Sequence, residues 1–483
     1  MHEPAERVTV HFTGDGAGVD EMSWGMWEIW HAMVDQLSSL PIGGRMALPA
    51  GASVADLAEE LRYLMSRFPS MRTLLRFDEA GWPTQELFAT GSTTLEVYDA
   101  GDADPDEVAS AVEQHYRSTD FDYATEWPVR MAVVRRDGRP THLVSIMSHL
   151  VTDAVGGAIM LREVQQRSTA PVTGLNPLEQ AAWQRSPAGQ RQNDKALRHW
   201  ERILRTIPAR RFPPSADPRT PRHWTGLFRS AALPLALPVI AERNGTDTQT
   251  VLLTLYAVAL RRIHGPGPIV VRPVVNNRFR SDLSDVVCMV AQAGISVLEI
   301  GDLTIDEAVD RTRRGTLTTY KHAYFHPEKL DELVTRVSAE RGERVDVQCF
   351  LNDRTTHRPS EEGATADAEE TARRLRKAQS EGEFEWIHRK EDPVSAFYVA
   401  FDDVADTIVV EIQTDTHYVS SGDAEAMALC IEAMAIEAAL DPGTRTGVTS
   451  GPGAPEVVPE PSAERPAERS PERSPEPSAE RLR

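Results

Sequence analysis

Met147-Ser148-His149-Leu150-Val151-Thr152-Asp153-Ala154-Val155-Gly156-Gly157 is the stretch around which the chain is organised. The apolar run Leu143 to Met147 before it reads as a strand, and Ala158-Ile159-Met160-Leu161-Arg162-Glu163-Val164 after it reads as the body of a helix. The sequence therefore predicts a strand-to-helix turn with a histidine at the strand end, an acid four residues on and two glycines at the helix start. Strand ends are rigid, and such a turn presents a side chain and backbone N–H groups to a cleft. His149 is the residue suited to chemistry, because an unperturbed imidazole titrates near about pH 6.5 and at neutral pH can accept a proton or donate a hydrogen bond. A core histidine satisfied by backbone groups is the competing reading of the same residue.

The chain has 483 residues, of which 41% are hydrophobic. That is ordinary for a soluble globular protein and enough for two domains or one two-lobed unit. A formal net charge of −21 argues against nucleic acid as a partner, since phosphate binding needs a basic face. The three cysteines, Cys288, Cys349 and Cys430, lie far apart in apolar surroundings. They suit buried free thiols in a reducing compartment, and no pair has metal-ligand spacing. A metal held by His149 and Asp153 would need a third ligand, and no suitable spacing of His, Asp or Glu stands out, so no metal is expected. Met1-His2-Glu3-Pro4 does not open a signal peptide, and no apolar run approaches about 18 residues. The expectation is a cytoplasmic protein with no membrane span.

Outward from the centre, Val8 to Phe12 alternates like a strand, and Met22 to Trp30 reads as a helix that buries indoles. Val54 to Phe68 and Pro105 to Arg117 have helical spacing. Thr169 to Gln190 is polar and proline-marked, and reads as a connection between lobes. Lys195 to Ile207 reads as a helix, Asp247 to Ile263 as a strongly apolar helix ended by Gly265, and Ile269 to Val275 as a buried strand. Val345 to Asn352 and Ile408 to Gln413 read as strands and Ala424 to Leu440 as a closing helix. Arg354 to Glu383 is charged and predicts a loop with a short exposed helix near Ala368 to Ser380. From Asp441 on, proline, serine, glutamate and arginine dominate, which predicts a disordered tail, with a docking element for a partner synthase as the sharper alternative.

The central stretch resembles the His-His-x-x-x-Asp-Gly signature of nonribosomal peptide synthetase condensation domains, members of the chloramphenicol acetyltransferase-like superfamily. Ser148 stands at the first histidine, His149 at the second, Asp153 at the aspartate and Ala154 at the glycine. Other segments resemble the family in the same order. Ser23 and Trp30 match its opening motif, with Met26 where glutamine is usual. Arg67 to Thr73 is similar to its Arg-His-x-x-Leu-Arg-Thr segment, and these arginines read as structural. Pro83-Thr84-Gln85, Phe121-Asp122, Pro128-Val129-Arg130, His199-Trp200 with Leu204, Asn277-Arg278 with Leu283 and Asp285, and the strand ending at Asn352 follow in turn. The resemblance runs from about residue 8 to 440.

The resemblance implies an α/β fold of two chloramphenicol acetyltransferase-like lobes forming a V-shaped pseudo-dimer with an inter-lobe tunnel. The expected divisions are an N-terminal lobe over residues 1–178, a C-terminal lobe over 179–440 and the tail over 441–483. It implies a free-standing condensation enzyme of specialised-metabolite (antibiotic) biosynthesis. Such an enzyme forms an amide or ester bond between an acyl thioester on a carrier protein and an amine or hydroxyl acceptor. No cofactor is bound directly, and the phosphopantetheine thioester arrives with the acyl or peptidyl carrier protein. By the same resemblance His149 is catalytic, while Asp153, paired with Arg278, and Ser148 support the site. Ala154, Gly156, Gly157 and Asn277 are expected to line the substrate path. The departures at Ser148 and Ala154 keep two further readings open: an acyl-coenzyme A acyltransferase, and a non-catalytic recruitment module that binds a carrier protein or a tailoring enzyme.

Overall fold

The computed structural model describes residues 3–265, 267–355, 368–392 and 395–449. The first lobe is built on a five-stranded sheet. In chain order it comprises β1 (Glu6–Thr13), β2 (Gly18–Glu21), α1 (Trp24–Asp35), β3 (Ile42–Ala47), α2 (Val54–Arg67), β4 (Thr73–Phe77), β5 (Pro83–Leu87), β6 (Thr90–Asp99), α3 (Pro105–Ser118), β7 (Val129–Arg136), β8 (Arg139–Met147) and α4 (Ala154–Gln166). The main sheet runs β1-β6-β7-β8-β3, and β2, β5 and β4 form a small separate sheet. Successive residues of a strand point to opposite faces. Met131 and Val133 therefore meet α2 and α4 through Leu61, Met65 and Ile159, while Ala132 and Val134 meet α3 through Val108 and Val112. Burial on both faces explains why β7 and the end of β8 read as apolar runs rather than alternating ones.

The second lobe follows as α5 (Pro177–Arg185), α6 (Pro187–Thr206), β9 (His223–Ser230), α7 (Leu233–Asn244), α8 (Thr248–His264), β10 (Ile269–Val275), β11 (Gln292–Ala293), β12 (Ser296–Leu298), α9 (Ile305–Lys321), α10 (Pro327–Arg341), β13 (Cys349–Asp353), α11 (Ala368–Gln379), β14 (Glu383–Lys390), β15 (Phe397–Val404), β16 (Thr407–Asp415) and α12 (Ser421–Leu440). Its sheet has the order β11-β10-β13-β15-β16-β9-β14, with β12 also on β10. One face packs on α7, α8, α9 and α12 through Leu237, Tyr256, Val309, Phe397, Val410 and Ile431. The other face of β13, β15 and β16 carries Asn352, Tyr398, Asp402, Glu411 and Gln413 instead of a second apolar layer.

The lobes are interlocked by the segment 279–291. Val287 joins the core of the first lobe, and Met289 and Ala291 pack with α1. Trp24 sits among Val286, Cys288, Val290 and Tyr324, so the tryptophan-rich helix buries its indoles where the lobes meet. Gly25 makes that approach possible, because a Cβ there would lie 2.2 Å from the Met289 carbonyl oxygen.

Four readings of the sequence are corrected. Residues 169–190 are not a plain connection. Asn176 and Glu179 form a capping box for α5, and Ser186 with Pro187 starts α6 well before Lys195. The 345–352 strand narrows to β13, which pairs only through Cys349–Asp353. The helix near Ala368 is not simply exposed, since Leu375 and Ala378 are buried in the main core. Residues 441–449 pack on the second lobe. Backbone bonds join Ile305 to Thr444, Thr446 to Leu303 and Asp302 to Val448 at 2.8–3.0 Å. Thr446 and Val448 alternate inward, a period-2 signal hidden by the polar composition around it. The remainder of the expected tail, 450–483, and the 356–367 part of the expected loop lie outside the described residues.

Candidate active site

β8 ends at Met147, α4 begins at Ala154, and His149 sits in the turn between them. Its Nδ1–H donates to the Thr152 carbonyl oxygen at 3.0 Å, which orients the ring and leaves Nε2 as the acceptor nitrogen. Burial pulls the His149 pKa below its ordinary value. The Arg354 guanidinium adds to that pull, while the Asp153 carboxylate and nearby backbone carbonyls oppose it. The result is a neutral imidazole with its basic nitrogen unprotonated.

Asp153 is the N-cap of α4, accepting from the Gly156 N–H at 2.9 Å. Its other oxygen accepts from the backbone N–H groups of Val290 and Ala291, both at 3.0 Å. Arg278 closes the cluster with two contacts of 2.8 Å to the Asp153 carboxylate, and both side chains are 5% exposed. The guanidinium also donates to the Val286 carbonyl at 3.0 Å. One carboxylate thus ties the first turn of α4 to β10's exit and to the 279–291 segment of the other lobe. Charge-assisted, bidentate contacts of this kind are geometrically specific.

Ser148 is fully buried and shares a hydrogen bond of 3.0 Å with the Tyr123 hydroxyl, while accepting from Leu150 N–H. It holds the turn and does not face a ligand. Tyr123, whose pKa burial pushes up to about 12, is a neutral hydroxyl at neutral pH. Its role was not legible in the sequence, because nothing links it to a position 25 residues away.

The residues expected to line the substrate path divide. Ala154 is exposed, and a Cβ at Gly157 would meet nothing within 4 Å, so this side of α4 borders open space. Gly156 faces inward instead. A Cβ there would lie 2.4 Å from Thr152 Oγ1 and 3.1 Å from Arg278, so glycine is needed to let Arg278 reach Asp153. Asn277 is also corrected: it is 3% exposed, has φ +56°, and donates to the Val290 and Ala323 carbonyls at 3.2 and 3.1 Å. Through those two bonds it brackets the turn after β10.

Opposite His149, the second lobe contributes charge that sequence reasoning missed. Arg354, just after β13, bonds Asp402 at 2.7 Å and Glu411 at 3.1 Å. Asn352 Nδ2 donates to the Tyr398 hydroxyl at 3.0 Å on the same face. Arg272 is buried over the Trp200 and Phe350 rings and reaches Glu28 of α1 at 3.2 Å, a second polar tie between lobes. Among the described residues, no three His, Cys, Asp or Glu side chains converge as a metal site, and no helix is long and apolar enough to cross a membrane.

The two α/β lobes, locked over a histidine turn, have the chloramphenicol acetyltransferase-like fold. More narrowly, the chain belongs to the condensation-domain family, whose model matches residues 45–389. Among curated relatives it is 24% identical over 307 residues to the probable non-canonical nonribosomal peptide synthetase CymA of Salinispora arenicola, which covers 58% of this chain and 4% of that protein. It is 23% identical over 314 residues to tyrocidine synthase 3 of Brevibacillus parabrevis, covering 63% and 5%. The chain therefore spans a small fraction of the synthetases it matches.

Among solved structures it superposes on the SgcC5 protein of Streptomyces globisporus with a TM-score of 0.64 at 18% identity, covering 88% of this chain and all of that one. The condensation domain of chain release from the enacyloxin polyketide synthase gives 0.64 at 17%, covering 92% and 86%. The X-domain from teicoplanin biosynthesis gives 0.65 at 16%, covering 89% and 97%. These likenesses establish the fold.

Proposed function

We propose that this protein is a condensation enzyme that joins an acyl group, held as a thioester on a carrier protein's phosphopantetheine, to an amine or hydroxyl acceptor. The observation that carries the reading is the neutral His149, held through Nδ1 with Nε2 left to accept. As the acceptor's nitrogen or oxygen attacks the thioester carbon, its proton passes to Nε2. A carbon–nitrogen or carbon–oxygen bond forms, and the resulting tetrahedral oxyanion collapses with cleavage of the carbon–sulfur bond. The departing pantetheine thiolate then takes the proton from Nε2, and the histidine returns neutral. Ala154 and Gly157 border the open side of α4, where the acyl donor approaches.

The test is intact-protein mass spectrometry of a loaded carrier protein with candidate acceptors. Turnover requires the wild-type chain, and His149→Ala should lower the rate by about 10²–10⁴-fold while leaving fold and carrier binding unchanged. A His149→Ala variant with near wild-type turnover would remove the histidine from the mechanism. Ala154→Trp should block donor entry, whereas Ala154→Gly should not.

The departures at Ser148 and Ala154 favour a second reading, a recruitment module that binds a carrier protein or tailoring enzyme without chemistry. A solved complex of the teicoplanin X-domain with OxyB, similar to this chain at a TM-score of 0.64 and 18% identity, supplies the analogy. Carrier binding with no loss of the acyl mass for any acceptor would favour that reading.

A further inference from the structure

A cavity of about 540 Å³ opens along α6 beside the end of α9. Lys195, Arg198, Arg202 and Arg205 of α6 and Lys321 of α9 line it, with Glu201 the sole acidic side chain in its wall. In a chain of net charge −21 this is an unusual concentration of cations. Arg205 is neutralised by Glu201 at 2.7 Å and Glu340 at 2.8 Å, and Glu201 is already shared with Arg336 at 3.2 Å. Among the described residues, Lys195, Arg198 and Arg202 have no carboxylate within ion-pair distance.

Those three stand three and four residues apart on one stripe of α6, where like charges repel and destabilise the helix. Among the described residues no ion pair to Lys195, Arg198 or Arg202 offsets that repulsion. The stripe from Lys195 to Arg202 is about 10 Å long, a span that suits more than one anionic group. At the floor, His199 and His322 are buried and stacked, with ring centres 4.5 Å apart and planes within 15°. The Lys321 carbonyl at the end of α9 accepts from Gln192 Nε2 at 3.1 Å. A concave wall of cations is the form of a small-molecule site rather than of a flat docking face.

We propose that this cavity binds a small ligand carrying at least two phosphate groups, of nucleoside diphosphate size. The site is built from α6 and α9 alone and shares no residue with the His149 turn. The unpaired arginines contact the phosphates.

Isothermal titration calorimetry of the full chain at low ionic strength, with pyrophosphate, ADP and orthophosphate as probes, tests this directly. Pyrophosphate and ADP should bind with a Kd below about 1 mM, and orthophosphate about tenfold more weakly. Tighter binding of ADP than of pyrophosphate supports the proposal with contacts beyond the diphosphate, and equal binding supports it with recognition confined to the diphosphate. Arg198→Gln combined with Arg202→Gln should weaken both ligands by about 100-fold through the loss of two charge-assisted contacts. The ligand-free Tm of that variant should stay equal or rise, since repulsion along α6 is relieved. Absence of binding by both diphosphates, or unchanged affinity in the double variant, overturns the proposal. Binding of an acidic carrier protein at this face without either diphosphate overturns it as well.

Discussion

Burial acts on His149 and Asp353 by one mechanism with opposite chemical results. For the imidazole it disfavours the cation, and Arg354 reinforces the effect. The acid limb of the rate profile should therefore have its midpoint below about pH 6.5, the value of an unperturbed histidine. Measuring kcat/KM for acyl transfer from pH 5 to 8 checks this, and a midpoint at or above that value would show that burial does not depress the histidine.

For Asp353, burial disfavours the carboxylate, with Asp403 and Asp247 adding repulsion, and the pKa is pushed up to about 6. One oxygen accepts from Thr355, and the other has no partner among the described residues. Between about pH 4 and 6 the folded chain keeps a proton that the unfolded chain has lost, so this group makes stability fall as pH rises through that window. Asp353→Asn should raise unfolding stability at pH 8 by about 1–3 kcal/mol and leave stability below pH 4 nearly unchanged. Urea unfolding at both pH values reads this out, and equal shifts at the two would show an ordinary carboxyl.

At the scale of elements, α4 and the 279–291 segment are one mechanical unit because Asp153 caps the first and binds the second. Removing Asp153 leaves a buried guanidinium uncompensated, and removing Arg278 leaves a buried carboxylate. Either Asp153→Ala or Arg278→Ala should cost about 3–5 kcal/mol, and the double variant should cost much less than the sum. Arg278→Lys should recover only part of this, since an ammonium cannot make the paired contacts to the carboxylate while holding the Val286 carbonyl. Urea midpoints of the four chains form the cycle, and strict additivity would dissolve the unit.

At the scale of the whole molecule, the second lobe extends past α12. A chain ending at Asp441 loses the bonds of Thr444, Thr446 and Val448 to the 302–305 turn and two arginine contacts from α8. It should be about 1–3 kcal/mol less stable than a chain ending at Thr449, through the lost hydrogen bonds and the exposed Val448 pocket. Thermal unfolding of the two truncated chains measures the difference, and equal midpoints would show that the extension contributes nothing.

The strand–histidine–helix order of residues 143–166 was legible because its signals, an apolar run and a helical period, are local, whereas Asp153 as the N-cap of α4 emerged only in the structure. The Asp153–Arg278 pair, 125 residues apart, came from the resemblance to a known family and not from any local pattern. β9, β14 and β15 went unread, since the ladders that join β9 to β14 and β16 make strands of segments whose own alternation is weak. Which way Gly156 and Asn277 face, and that Tyr123 and Arg354 belong to the site, depended on how segments far apart in the chain come together. Local sequence determined the turn that holds His149, because capping and period act within a few residues. The tertiary structure alone decided its charge and its neighbours, because desolvation and cross-lobe hydrogen bonds exist only once the two lobes have closed on each other.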